Sequence, residues 1–123
     1  MRVLLAAARP DFRDALCSFL SERGVDVVRA LGSTATLPAH VAASGPDAVL
    51  VEWRPRGDNA DTLLAIAVLS VRCLTPAPPV IALCAETDGA SAAEAGADYC
   101  VAVGGEPAAL LRVLDAAVAS PRV

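Results

Sequence analysis

The chain has 123 residues, enough for one domain with a single core and too few for two. Hydrophobic residues make up 55% of it but aromatic ones only 3%, so the core must be built from Ala, Val and Leu rather than from large rings. The formal net charge is -4 and no run of basic side chains exists to grip phosphates, which argues against direct nucleic-acid binding by this domain.

RVLLAAA (2–8) is an apolar run with the look of a buried strand. Pro10 and Asp11 then open a helix whose apolar positions Phe12, Leu16, Phe19 and Leu20 share one face, and Gly24 closes it. VDVVRA (25–30) predicts a second strand, and a weaker helix is expected over 33–44 with Pro38 in its first turns. AVLVEW (48–53) is the next buried run. Asp58, Asn59 and Asp61 offer caps for a helix with Leu64, Ala67, Val68 and Val71 on its face. TPAPP (75–79) is a stiff lead into the strand VIALCA (80–85), and an alanine-rich helical segment (88–95) stops at Gly96. YCVAV (99–103) predicts a fifth strand. Pro107 starts a last helix carrying Leu110, Leu111, Leu114 and Val118, and 120–123 reads as a frayed tail or the start of a linker after a domain over 1–119.

Strands that alternate with helices, and that read as continuous apolar runs, imply a parallel sheet covered on both faces. In such α/β sheets ligands bind beyond the carboxyl ends of the strands, at the point where strand order reverses. The stretches to interrogate are therefore 6–9, 52–55, 84–87 and 103–105.

Other residue types narrow the chemistry. There is no lysine, which removes a Schiff base or a P-loop lysine. Cys17, Cys73, Cys84 and Cys100 form no CxxC pair, and with His40 alone they make no metal-ligand spacing; all four are expected as small core residues. His40 has no nucleophile paired with it by motif, and reads as a surface or satisfied residue. Trp53 at a strand end is expected to pack under the neighbouring helix. No apolar stretch reaches the roughly 20 residues of a membrane span, and the N-terminus lacks the long apolar region of a signal peptide, so a cytoplasmic protein is expected.

The stretches VLLAAARPDFRDAL, GPDAVLVEWRP, PPVIALCA and EAGADYCVAV, in this order and spacing, resemble a receiver domain of the bacterial response-regulator family over nearly the whole chain. The resemblance implies a flavodoxin-like fold, with a parallel sheet in the order 2-1-3-4-5 flanked by five helices. It also implies a two-component signalling role. Receiver domains accept a phosphoryl group on an aspartate, with Mg²⁺ held by that aspartate and an acid pair after strand one. A hydroxyl residue ends strand four and a lysine ends strand five before a proline.

Carried over position by position, that machinery is absent. The acid pair is Ala7 and Ala8, the acceptor is Glu52, the hydroxyl is Cys84, the lysine is Val103 and the proline is Gly104. Glutamate extends its carboxylate by one methylene, which displaces in-line attack by on the order of 1 Å. One carboxylate does not hold Mg²⁺ against water. No Mg²⁺ cofactor and no enzymatic activity are therefore expected. Glu52 needs a partner, and Arg9 and Arg54 stand on loops at the same sheet end; held there, it could imitate the phosphorylated state. Asp11 is expected to cap the first helix.

Cys100 takes the position of the family's switch aromatic; Tyr99, one place early, faces the other way. A Cys84–Cys100 disulfide is disfavoured by a reducing compartment and by the separation a bridge requires. The segment before AGAD is about one helical turn shorter than usual, so the fourth helix should be short. The expectation is a phosphorylation-independent module acting by protein–protein contact, as a homodimer or with another protein. The contact face is that of the fourth helix, fifth strand and fifth helix, and the domain is expected either to stand alone or to be the N-terminal module of a transcription regulator or an ATPase. The alternative is a small-molecule sensor with a ligand among Ala7, Ala8, Cys84 and Val103.

Overall fold

The computed structural model describes residues 1–33, 36–53, 59–74, 77–84, 96–102 and 107–119, with side chains left undescribed over 59–65 and at 107. Strands β1 (Arg2–Ala6), β2 (Asp26–Leu31), β3 (Ala48–Trp53), β4 (Val80–Cys84) and β5 (Tyr99–Ala102) form one sheet in the order β2-β1-β3-β4-β5. Every neighbouring pair is parallel. Four helices lie among the described residues: α1 (Pro10–Glu22), α2 (Leu37–Ser44), α3 (Asn59–Arg72) and α4 (Pro107–Ala119). The last of these is the fifth helix of the sequence reading; the helical segment expected over 88–95, with its shortened length, and the tail at 120–123 lie outside the described residues.

Alternation along the strands divides the core into two layers. Leu4, Ala6, Val49, Val51, Val80 and Ala82 point to one side, where Leu37 and Val41 of α2 and Ala67, Val68 and Val71 of α3 cover them. Val3, Leu5, Leu50, Ile81, Leu83 and Val101 point to the other, under Leu20 of α1 and Leu110, Leu114 and Ala117 of α4. The central strands β3 and β4 are buried at every position, which is why they read as unbroken apolar runs. Full burial of such a side chain stabilises by about 1.5–3 kcal/mol.

Several boundaries differ from the sequence pattern for identifiable reasons. β1 stops at Ala6, because the Ala7 N–H still bonds Leu31 O at 2.9 Å while the Ala8 N–H turns toward a side chain. Helix α2 starts at Leu37 rather than at 33, with Pro38 in its first turn, where a missing N–H costs nothing. It ends on Gly45 in the left-handed region, φ 58. Arg9, not Asp11, is the N-cap of α1; Asp11 lies inside the first turn, where its charge suits the helix dipole. Val118 is 37% exposed, because the buried face of α4 runs through Leu110, Leu114 and Ala117.

The cysteines also depart from a uniform core role. Cys84 is buried, Cys17 is half-buried, and Cys73 and Cys100 are exposed. Cys73 falls just past the end of α3, and Cys100 lies on an edge strand, so neither has layers on both sides.

Candidate functional site

Strand order reverses between β1 and β3, which sets their carboxyl ends side by side with Ala6 opposite Val51. The chain leaving β1 at Ala7 therefore passes directly over Glu52. Two consecutive alanines there leave room for the backbone to close on the carboxylate.

Glu52 is the one buried charged or polar residue among the described residues, with a side chain 2% exposed. Its Oε1 accepts hydrogen bonds from the N–H of Ala8 at 3.0 Å and, more weakly, of Arg9 at 3.4 Å. Its Oε2 accepts the Nε–H of Arg9 at 2.5 Å, making an ion pair. The Arg9 guanidinium lies 4.7 Å from the centroid of the Phe12 ring, a cation–π arrangement one helical turn on. Beside it, Arg13 Nη1 donates to Ala7 O at 2.9 Å. A buried carboxylate is tolerable only when its lone pairs are met and its charge is offset, and this loop does both.

Of the residues expected at this sheet end, the structure brings Ala7, Ala8, Arg9 and Glu52 together. Arg54, Val103 and Gly104 lie outside the described residues. Cys84 goes elsewhere: it pairs in register with Trp53 and packs with it in the α2–α3 layer, whereas Ala7 belongs to the α1–α4 layer. Of the four apolar residues expected around a small ligand, Ala7 and Cys84 thus belong to opposite layers of the sheet. Trp53 is 2% exposed, packed beneath α2 and α3 as expected, and its Nε1–H has no partner among the described residues.

Cys100 pairs in register with Ala82, so it stands diagonal to Cys84 rather than opposite, and both are thiols. Tyr99 packs against the α1–α4 layer, on the other side of the sheet from Ala82. His40 is half-buried on α2. Burial, reinforced by Asp14 and opposed by Arg13, pushes the Cys17 thiol above its ordinary pKa, which keeps it protonated and poorly nucleophilic.

Three contributions were not legible from residue types: the two backbone N–H groups on Oε1, the ring of Phe12 beneath the guanidinium, and the hold of Arg13 on Ala7. The three-residue spacing of Arg9 and Phe12 at a helix start was the available signal for the ring.

Among the described residues the donor set does not suit a divalent cation: Ala7 and Ala8, which follow β1, bring methyl groups, and both carboxylate oxygens already accept from N–H donors, one of them cationic.

No protein-family model matches the chain, and no curated protein matches it in sequence. Solved structures match it in fold. The receiver domain of the sensor histidine kinase PA1611 from Pseudomonas aeruginosa, with a magnesium ion coordinated in its active site cleft, gives a TM-score of 0.81 at 21% identity, over 97% of this chain and 98% of that one. The BeF3-activated N-terminal receiver domain of RstA from Klebsiella pneumoniae gives 0.77 at 20% identity, over 98% of this chain and 100% of the other. NtrX from Brucella abortus gives 0.73 at 20% identity, over 96% of this chain but 27% of that chain. The chain therefore has the fold of response-regulator receiver domains.

Proposed function

We propose that this receiver-fold domain signals by protein–protein contact without taking up a phosphoryl group. The observation that carries the reading is the state of Glu52: its two oxygens are held by Ala8 and Arg9, and its charge is neutralised from within the chain. Metal-assisted phosphoryl transfer needs clustered carboxylates around a hard cation and an accessible nucleophile. Here the acids are replaced by Ala7 and Ala8, and the carboxylate is buried beneath its own loop. The domain is then a docking module rather than an enzyme. The exposed Cys100 and Ala102 of β5 and Val118 of α4 belong to the face on which a second copy or another protein would dock. Net charge favours a protein over DNA as that partner. The match to only 27% of NtrX, solved in complex with ADP, supports a place as one part of a longer protein, for which the reading is a transcription regulator or an ATPase. Among the described residues no helix is long and apolar enough to cross a membrane, which accords with a cytoplasmic setting.

The test is intact-mass measurement after incubation with acetyl phosphate and Mg²⁺. No phosphoryl adduct is expected; an acid-stable or labile adduct on Glu52 would overturn the reading.

A further inference from the structure

Arg9 holds three posts at once. Its carbonyl accepts the N–H of Arg13 at 2.9 Å and so begins the α1 hydrogen-bond ladder. Its own N–H and Nε–H both reach Glu52. Its guanidinium rests on Phe12, which packs against the α1–α4 layer. Entry into α1, the end of β3 and that core layer therefore meet in one side chain. In a cleft built around carboxylates, cohesion comes from a cation that arrives and leaves with solution conditions. Among the described residues, the buried carboxylate of Glu52 is matched by a cation that is part of the chain.

We propose that Arg9 is the resident counter-cation of this sheet end, a side chain in the place of a dissociable metal ion. Its presence makes the conformation of the β1–α1 loop independent of divalent metal. The proposal deepens the reading of the site as phosphate-free and rests on it. It adds that the loop has no ligand whose arrival or departure could shift a population between two states. Phe12 orients the guanidinium and the two N–H groups share Oε1, so the geometry is set by the fold before any partner binds.

Thermal melting of the whole chain tests this, with Arg9→Ala, Arg9→Lys and the double variant Arg9→Ala/Glu52→Gln beside the parent protein. The parent should melt at one temperature in chelator and in millimolar Mg²⁺. Arg9→Ala should melt roughly 5–10 °C lower, since it strands a buried carboxylate. Dilute guanidinium chloride, far below denaturing strength, should restore part of that loss, while sodium chloride at equal ionic strength should not. The double variant, with no carboxylate to neutralise, should show no such rescue. Arg9→Lys, which keeps the charge and loses the directed Nε–H, should fall between the parent and Arg9→Ala; it carries the comparison if Arg9→Ala does not fold.

Rescue by sodium chloride equal to that by guanidinium, rescue that persists without the carboxylate, or a parent stabilised by Mg²⁺ would each overturn the proposal. Phosphoryl uptake by the parent protein, read separately by mass, would sink the reading beneath it. The two failures are therefore distinguishable.

Discussion

The reach of the residue at position 52 decides what the site is. Its Oε1 lies 3.0 Å from the Ala8 N–H and its Oε2 contacts Arg9 Nε at 2.5 Å. An aspartate there would end about 1.5 Å short, one carbon–carbon bond. Glu52→Asp, though it restores the acceptor of typical receivers, is therefore expected to destabilise this protein by about 1–3 kcal/mol, the worth of hydrogen bonds to a charged group. Chemical denaturation monitored by the fluorescence of Trp53, the single tryptophan, measures it. An unchanged midpoint would mean that the loop follows the carboxylate inward and that length is irrelevant. The partnership of Glu52 with Arg9 was legible because both belong to one sheet end and a buried carboxylate requires a cation. The choice of backbone donors was not, since residue identity carries no record of where a main-chain N–H points.

At the scale of elements, two aspartates that precede strands do matching work at the amino edge of the sheet. Asp47, just before β3, accepts the Arg2 N–H of β1 at 2.8 Å, and its own N–H bonds Arg2 O at 2.7 Å. Asp98, just before β5, accepts the Val80 N–H of β4 at 2.8 Å, and its N–H bonds Val80 O at 2.9 Å. Each aspartate thereby satisfies an orphan donor at a strand start and fixes the register of the next parallel pair. This gives a physical reason for the PDAV and GADY stretches that carried the resemblance: they are fold signals, not site signals. The two are not equal in weight. Asp98 also meets Arg72 Nη1 of α3 at 3.3 Å and its side chain is 14% exposed, whereas Asp47 is exposed. Asp98→Ala is expected to cost about 1–2 kcal/mol and Asp47→Ala less than about 1 kcal/mol. Urea midpoints at unchanged slope would show the difference. Equal losses would mean that burial adds nothing to this kind of strand cap.

For the molecule as a whole, hydrophobic pattern located every strand but not every strand end: β1, though interior, stops two residues before its apolar run does. β3 matched its expected bounds because all six residues are buried. The edge strands β2 and β5 are partly exposed; β2 is displaced by one residue, whereas β5 starts at Tyr99 as expected. The cysteines show the same division. A thiol of low polarity looks like core in any apolar stretch, yet only position in the layered fold decides whether it is covered. Their labelling kinetics consequently read the architecture. Cys73 past α3 and Cys100 on the edge strand should react quickly with a thiol reagent at neutral pH. Cys17, half-buried and with its thiol pKa raised by burial, should react more slowly. Cys84, 3% exposed between β3 and α3, should react only as fast as the sheet opens, and denaturant should bring it level with the others. Because Cys84 pairs in register with Trp53, its protection also reports on the strand that presents Glu52. Rapid labelling of Cys84 in the native protein would place the α2–α3 layer apart from the sheet and remove the rigid support on which the Glu52–Arg9 pair depends.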